Sequence, residues 1–153
     1  MEKSMPLIGN KENTAQRGLV GQTIILAKLV ELGKEVLLPW GDHRRYDIAY
    51  YEPGDAFKAA RLVRIQCKVG WFYDDEAGIE FSTMSVLVKP GKGHVRRGYR
   101  GEIEYFAVYC PDNGKIYLVP VDNVPDGSKA KLRLKRTKNN QQQGILWAKD
   151  YEL

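Results

Sequence analysis

Hydrophobic and polar positions change period once along this chain, from helical spacing to strand spacing. Over Ala15 to Leu32 the apolar residues Leu19, Ile25, Leu26, Leu29, Val30 and Leu32 recur as a broad stripe and predict one amphipathic helix. Asn13 or Thr14 offers its N-cap and Gly33 stands just past its end. The polar run from Met1 to about Asn13 reads as loose. Beyond the helix the apolar runs are short and bounded by Pro, Gly, Asp and Asn. They predict strands over Lys34 to Leu38, Tyr46 to Tyr51, Leu62 to Val69, Ile79 to Val88, Glu104 to Tyr109, Lys115 to Val121 and Lys131 to Leu134. "CPDNG" between the fifth and sixth runs is turn chemistry for a hairpin. The stretch from Asn139 to the end has no clear period. One helix leading into many strands, with no internal repeat and no linker, predicts a single α/β (α+β) domain over 1–153 with a mixed sheet.

Composition makes that domain globular. The chain has 153 residues, 43% hydrophobic and 28% charged, enough for a core and too apolar for a disordered segment. Two cysteines, Cys67 and Cys110, make no disulfide framework and fit a reducing compartment. Residues 1–16 carry no apolar core of a signal peptide, and no run is long enough to span a bilayer, so a cytoplasmic protein without a membrane partner is expected.

Charge changes the picture further. The net charge of +5 is concentrated in two runs without an acid. Lys89 to Arg100 carries Lys89, Lys92, Arg96, Arg97 and Arg100; Lys129 to Lys138 adds Lys129, Lys131, Arg133, Lys135, Arg136 and Lys138. Clustered cations with Gly and aromatic neighbours are the footprint of a polyanion partner, although two solvated loops on a basic protein would read the same way.

Candidate chemistry sits in "RYDIAYYEPGDAFKAARLVRIQCKVG". Alternation in the second strand puts Arg64, Gln66 and Lys68 on one face and Val63, Ile65, Cys67 and Val69 on the other. Asp47 opens the neighbouring strand. If Asp47 shares the face of Gln66 and Lys68, a carboxylate, an amide oxygen and an ammonium converge. With the backbone carbonyl of Cys67 they offer a hard cation its oxygen ligands, with Lys68 left to orient or deprotonate a water or to stabilise a phosphorane. The Cys67 side chain reads as packing. As a bare spacing, Asp, eighteen residues, then Gln-x-Lys also describes a solvated hairpin.

"RGLVGQTIILAKLVELGKEV", "LLPWGDHRRYDIAYY" and "VRIQCKVG" resemble the PD-(D/E)xK nuclease superfamily, and more narrowly its group I intron-encoded homing endonucleases. The similarity runs on through "YFAVYCPDNGKIYLVPV" to "NNQQQGILWAKDYEL". The resemblance implies a restriction-endonuclease-like core, a mixed central sheet flanked by helices, and Mg²⁺-dependent cleavage of both strands of double-stranded DNA, with Mn²⁺ as a substitute. It implies that Asp47 and Gln66 are metal ligands and that Lys68 is the lysine of the motif. One position departs: where such enzymes carry a Glu on the first helix, "GLVGQ" has Gln22, which keeps an acceptor oxygen and drops the charge. Gln22 is either a neutral member of the metal site that attenuates cleavage or a solvated helix residue.

The rest follows from that frame. Residues 79–101 form an expected DNA-reading extension, with Arg96, Arg97 and Arg100 for base edges or phosphates. Arg44, Arg45 and the Lys129 to Lys138 run suit phosphate positioning. Asp74, Asp75, Glu76 and Glu80 are candidates for the missing charge. His43 and His94 have no metal-ligand spacing, and no phosphate-binding loop or nucleophile elbow is present. Two antiparallel strands call for two sites, hence a dimer or tetramer, its contact at the aromatic hairpin or at Trp147, Tyr151 and Leu153, unless these aromatics fill the monomer core. A structure-selective enzyme such as a Holliday junction resolvase and a non-catalytic DNA- or RNA-binding module remain alternatives.

Overall fold

The computed structural model describes residues 13–153; the polar run before Asn13 lies outside them. Helix α1 (Thr14–Glu31) starts where expected, because Asn13 Oδ1 accepts the Gln16 amide at 2.9 Å. It ends in a Schellman arrangement around Gly33, at φ +76°: the Gly33 amide donates to Val30 O and the Lys34 amide to Leu29 O. The buried stripe is narrower than the periodicity suggested. It consists of Gly21, Ile25 and Leu29, while Leu19 and Val30 are each 58% exposed. The reason is that α1 lies on one sheet and, among the described residues, is covered by nothing else, so one line of side chains is enclosed.

That sheet has the order β1-β2-β3-β8-β9, from β1 (Glu35–Leu37), β2 (Ile48–Glu52), β3 (Arg61–Val69), β8 (Tyr105–Cys110) and β9 (Lys115–Pro120). All neighbours are antiparallel except β3 and β8, so the sheet is mixed. A second sheet, order β11-β10-β5-β4, is built from β4 (Trp71–Tyr73), β5 (Gly78–Ser82), β10 (Lys129–Arg133) and β11 (Leu146–Trp147). β6 (Ser85–Lys89) and β7 (Gly93–Arg97) pair only with each other, as a ribbon.

Two cores result. Ile25 and Leu29 of α1 pack on Ile48, Tyr50, Val63, Ile65, Ala107, Tyr109 and Ile116 of the first sheet. The other face of that sheet, through Phe106, Val108, Cys110, Tyr117 and Val119, packs on Ile79, Phe81 and Leu132 of the second sheet. "YFAVYC" therefore shows no alternation because both of its faces are buried. A second sheet, rather than further α-helices, covers this face among the described residues. The chain passes from one sheet to the other at Gly70, where a Cβ would lie 2.6 Å from Ile79 Cγ2 and 2.8 Å from Val108 Cγ1. No described helix is long and apolar enough to cross a membrane.

Two expectations need correction. The single run Ile79 to Val88 is two strands, broken where buried Thr83 turns its hydroxyl inward to Gly127 O and its amide donates to Ser128 O. The basic segment after it forms strand β7 and completes the ribbon. The aromatic hairpin offered as a subunit contact is interior: Phe106 and Tyr117 are at most 1% exposed, and Trp147 and Tyr151 are half-buried.

The close approach of α1 generates a test. A Cβ on Gly21 would sit 2.9 Å from Val69 Cγ2, whereas nothing lies within 4 Å of one on Gly18. Gly21→Ala is expected to push the helix off the sheet and lower the melting temperature. Gly18→Ala, which gains helix propensity in open space, raises it by about 1–3 °C in a thermal melt.

Candidate active site

β3 lies between β2 on one edge and β8 on the other, and each covers only part of its length. Arg61 to Ile65 pair with β2, and Ile65 to Val69 pair with β8. From Gln66 onward the edge of β3 that faces β2 therefore has no ladder partner. Asp47, one residue before β2, fills it. Its amide donates to Ile65 O at 2.9 Å, and its Oδ2 accepts the Cys67 amide at 2.9 Å. A strand residue turns its N–H and C=O to the same edge, so the Cys67 carbonyl leaves β3 on the side of the Asp47 carboxylate.

Alternation then sets the side chains. Ile65 and Cys67 go to the α1 side. Arg64, Gln66 and Lys68 take the opposite face, where Arg64 is held by Glu104 at 2.6 Å and the Lys68 ammonium lies 5.0 Å from the centre of the Tyr99 ring. Asp47, Gln66 and Lys68 are all half-buried. Burial holds the Asp47 carboxyl above its ordinary value, against the Cys67 N–H and Lys68, which draw it down. Burial likewise holds the Lys68 ammonium below its ordinary value, with Asp47 opposing and Arg45 adding to the shift. Burial also pushes the Cys67 thiol well up, leaving an unreactive packing group.

This donor set suits a hard cation. One carboxylate, one amide oxygen and one backbone carbonyl are oxygens only, and a divalent ion would relieve the desolvated Asp47. The charge is low. Among the described residues no three His, Cys, Asp or Glu form a group that could hold a metal. Asp74, Asp75 and Glu76 lie in the β4–β5 turn, all at positive φ, and Glu80 pairs with Lys129 at 2.6 Å. Gln22 is half-buried on α1 beside buried Gly21, in the layer that packs on the first sheet.

The cations divide into free and committed groups. Arg45 donates to Glu102 at 2.6 Å, to Ser85 Oγ at 2.7 Å and to Gly98 O at 2.5 Å, and its guanidinium stacks 4.2 Å from the Tyr99 centroid. It staples the base of the ribbon rather than facing solvent. Arg97 pairs with Glu102, and Arg100 donates to Val124 O at 2.7 Å. Lys89, Lys92 and Arg96 are exposed on the ribbon, and Arg44 donates to Trp40 O on an exposed loop. In the second run Lys131 stacks on Tyr73 at 4.5 Å, Arg133 donates to the Tyr73 hydroxyl at 3.3 Å, and Lys135 to Asp75 O at 2.7 Å. Lys135, Arg136 and Lys138 line an open depression of about 960 Å³ beside the β4–β5 turn. Sequence reasoning missed Tyr99, which sits inside a basic run, and Glu102, just past its end; both reveal their partners only in three dimensions.

Comparison with known proteins bears on the fold and the family. A search of curated protein sequences finds no match. Among solved structures, the bacterial homing endonuclease I-Ssp6803I superposes with a TM-score of 0.68 over 91% of this chain and 88% of that one, at 21% identity. At that identity the likeness establishes the fold, which is that of a restriction-endonuclease-like nuclease. The family model of the PD-(D/E)XK endonucleases matches residues 12–153. Since that span includes the helix, the β3 edge with its Asp47 and both sheets, the chain belongs to the PD-(D/E)XK endonuclease family.

Proposed function

We propose that this endonuclease is of the homing type, of the group I intron-encoded branch, and hydrolyses both strands of a specific duplex DNA with Mg²⁺, or Mn²⁺ in its place. The observation that carries the reading is the convergence of the Asp47 carboxylate, the Cys67 carbonyl edge, Gln66 and Lys68 at the free edge of β3. Asp47, Gln66 and the Cys67 carbonyl would hold the ion. When bound, it supplies Lewis acidity at the scissile phosphate and a more acidic water. Lys68 orients that water and stabilises charge on the phosphate. A lysine whose burial weakens its hold on the proton is also suited to accept one. Exposed Lys89, Lys92 and Arg96 on the ribbon engage the duplex, a two-stranded β-ribbon being an element that the major groove admits. Arg136 and Lys138 position phosphates. A two-fold dimer, or a tetramer containing it, sets two sites on antiparallel strands. A cytoplasmic setting is consistent with both free thiols.

The defining experiment offers a randomised duplex pool, a four-way junction and single-stranded RNA, each with and without Mg²⁺. Recurrent sequence at both cut ends of the duplex is the expected result. Cutting confined to the junction makes the protein a resolvase, and metal-independent binding without product makes it a binding module.

Asp47→Ala and Lys68→Met are expected to abolish cleavage while DNA affinity stays within a few-fold. The lysine variant carries a second signature. The folded value of Lys68 lies below its ordinary 10.5, so its contribution to stability is present above pH 10.5 and lost as pH falls through the folded value. At neutral pH, Lys68→Met therefore melts at a higher temperature than the parent chain. A loss of binding equal to the loss of cleavage, with a lower melting temperature, would make these residues structural.

Salt dependence separates the free cations from the committed ones. Replacing Lys89, Lys92 and Arg96 together by Ala is expected to lower the log–log slope of affinity against salt by about 2 to 3. An unchanged slope removes the ribbon from the interface.

Gln22→Glu tests the helix position. If Gln22 reaches the ion, the variant cleaves faster at low Mg²⁺ in single-turnover assays, and the advantage shrinks in Mn²⁺. Equal rates and equal metal midpoints make it a bystander.

A further inference from the structure

Tyr99 is 5% exposed, yet it lies in one of the two basic runs of the chain, two residues past the end of β7. Its orientation is fixed from below. Phe106 meets it edge-on at 5.6 Å and 87°, and Phe81 in turn meets Phe106 at 5.7 Å. Two cations share its ring. The Arg45 guanidinium is 4.2 Å and the Lys68 ammonium 5.0 Å from the centroid, both within cation–π range.

These contacts join two parts of the molecule. Arg45 grips both ends of the ribbon, Ser85 at the start of β6 and Gly98 just after β7, and shares Glu102 with Arg97. It also stands two residues before Asp47. The ribbon has exposed apolar positions on both faces, with Val86, Leu87 and Val88 at 56%, 41% and 72%. A two-stranded ribbon of this kind is marginal without a surface to lie on, so its seating is transmitted through its base. Lys68 sits at the end of a flexible four-carbon stem and needs a fixed surface to hold its head in one place.

We propose that Tyr99 is a positioning residue: its ring fixes the Lys68 ammonium and ties it to the seating of the β6–β7 ribbon. The ring offers the cation a face without withdrawing it into an ion pair, so Lys68 remains able to donate to a phosphate. Engagement of the ribbon by DNA then bears on the lysine through Gly98 and Tyr99, and on Asp47 through Arg45. This rests on the endonuclease reading of Asp47 and Lys68, and it adds a route by which binding at one place sets the geometry at another.

The test uses Tyr99→Phe, which keeps the ring face, and Tyr99→Leu, which removes it. One readout is the single-turnover nicking rate on supercoiled plasmid with Mn²⁺, beside plasmid affinity without metal. The other is independent of activity: the ε-methylene proton shifts of Lys68 in a lysine-labelled sample, assigned with Lys68→Met. Ring current from Tyr99 displaces these resonances upfield. Tyr99→Phe is expected to retain rate and shift. Tyr99→Leu is expected to lose the upfield shift and about tenfold or more in rate, with affinity unchanged within about threefold. Should the aliphatic variant not fold, Arg45→Lys takes its place. A single ammonium cannot reach the three acceptors of the guanidinium, so the Lys68 shift moves and the rate falls with the ring still present. A Lys68 resonance that stays where it is in Tyr99→Leu or Arg45→Lys overturns the proposal, as does a wild-type rate in either folded variant. If the parent chain nicks nothing with any metal, the endonuclease reading fails, and the resonance alone still decides whether Tyr99 holds the lysine.

Discussion

The site depends on where one hydrogen-bond ladder stops. β3 pairs with β2 along Arg61 to Ile65 and, on its other edge, with β8 along Ile65 to Val69. A buried strand edge left without partners is costly. Here the vacancy at Cys67 N–H is filled by a carboxylate instead of another strand. The same bond that satisfies the backbone fixes Asp47 at the strand edge. The alternation of β3 then delivers Gln66 and Lys68 to the face that looks toward the second sheet. Site and fold are thus one construction. Moving the start of β2 by a residue would give the ladder another pair and remove the acid.

The layers around β3 explain why the site is half-dry. α1 closes one face of the sheet and the second sheet closes most of the other, leaving the β3 edge between the second core and the ribbon base. Burial disfavours both the Asp47 carboxylate and the Lys68 ammonium, and each only partly compensates the other. Such a pair is poor as a structural ion pair and well suited to chemistry, since a cation or a phosphate would find groups not already saturated. The other ion pairs near the site differ. Arg64–Glu104 and Arg45–Glu102 are close, and in each the carboxyl is held below its ordinary value, which marks them as scaffold.

Much of this was legible in the chain where the signal is local. Asn13, Gly33 and the Asp-Asn-Gly turn act on their immediate neighbours, and the elements they bound are where the sequence puts them. Strand alternation puts Gln66 and Lys68 on one face, whereas Asp47 joins them in the sequence only on the condition that its strand shares that face, and the Cys67 amide is what sets it at the β3 edge. What stayed hidden involves distant partners or very short elements. β4 is only three residues long and is held by its pairing to β5. The break at Thr83 follows from acceptors more than forty positions away, at Gly127 and Ser128. Arg45 reads as a phosphate contact beside Arg44, but Glu102, 57 positions on, turns it into an internal staple. Leu19 and Val30 belong to the helical period and remain exposed because, among the described residues, no second layer covers them.

The central claim is that a divalent ion rests on Asp47 as the sole carboxylate of the site. Titration of Mn²⁺ into the protein with duplex DNA present, followed by the loss of the free-ion paramagnetic resonance signal, addresses it directly. The account predicts binding by the parent chain that Asp47→Asn removes and that Glu76→Gln and Glu80→Gln leave unchanged. Undiminished Mn²⁺ binding in Asp47→Asn would contradict it.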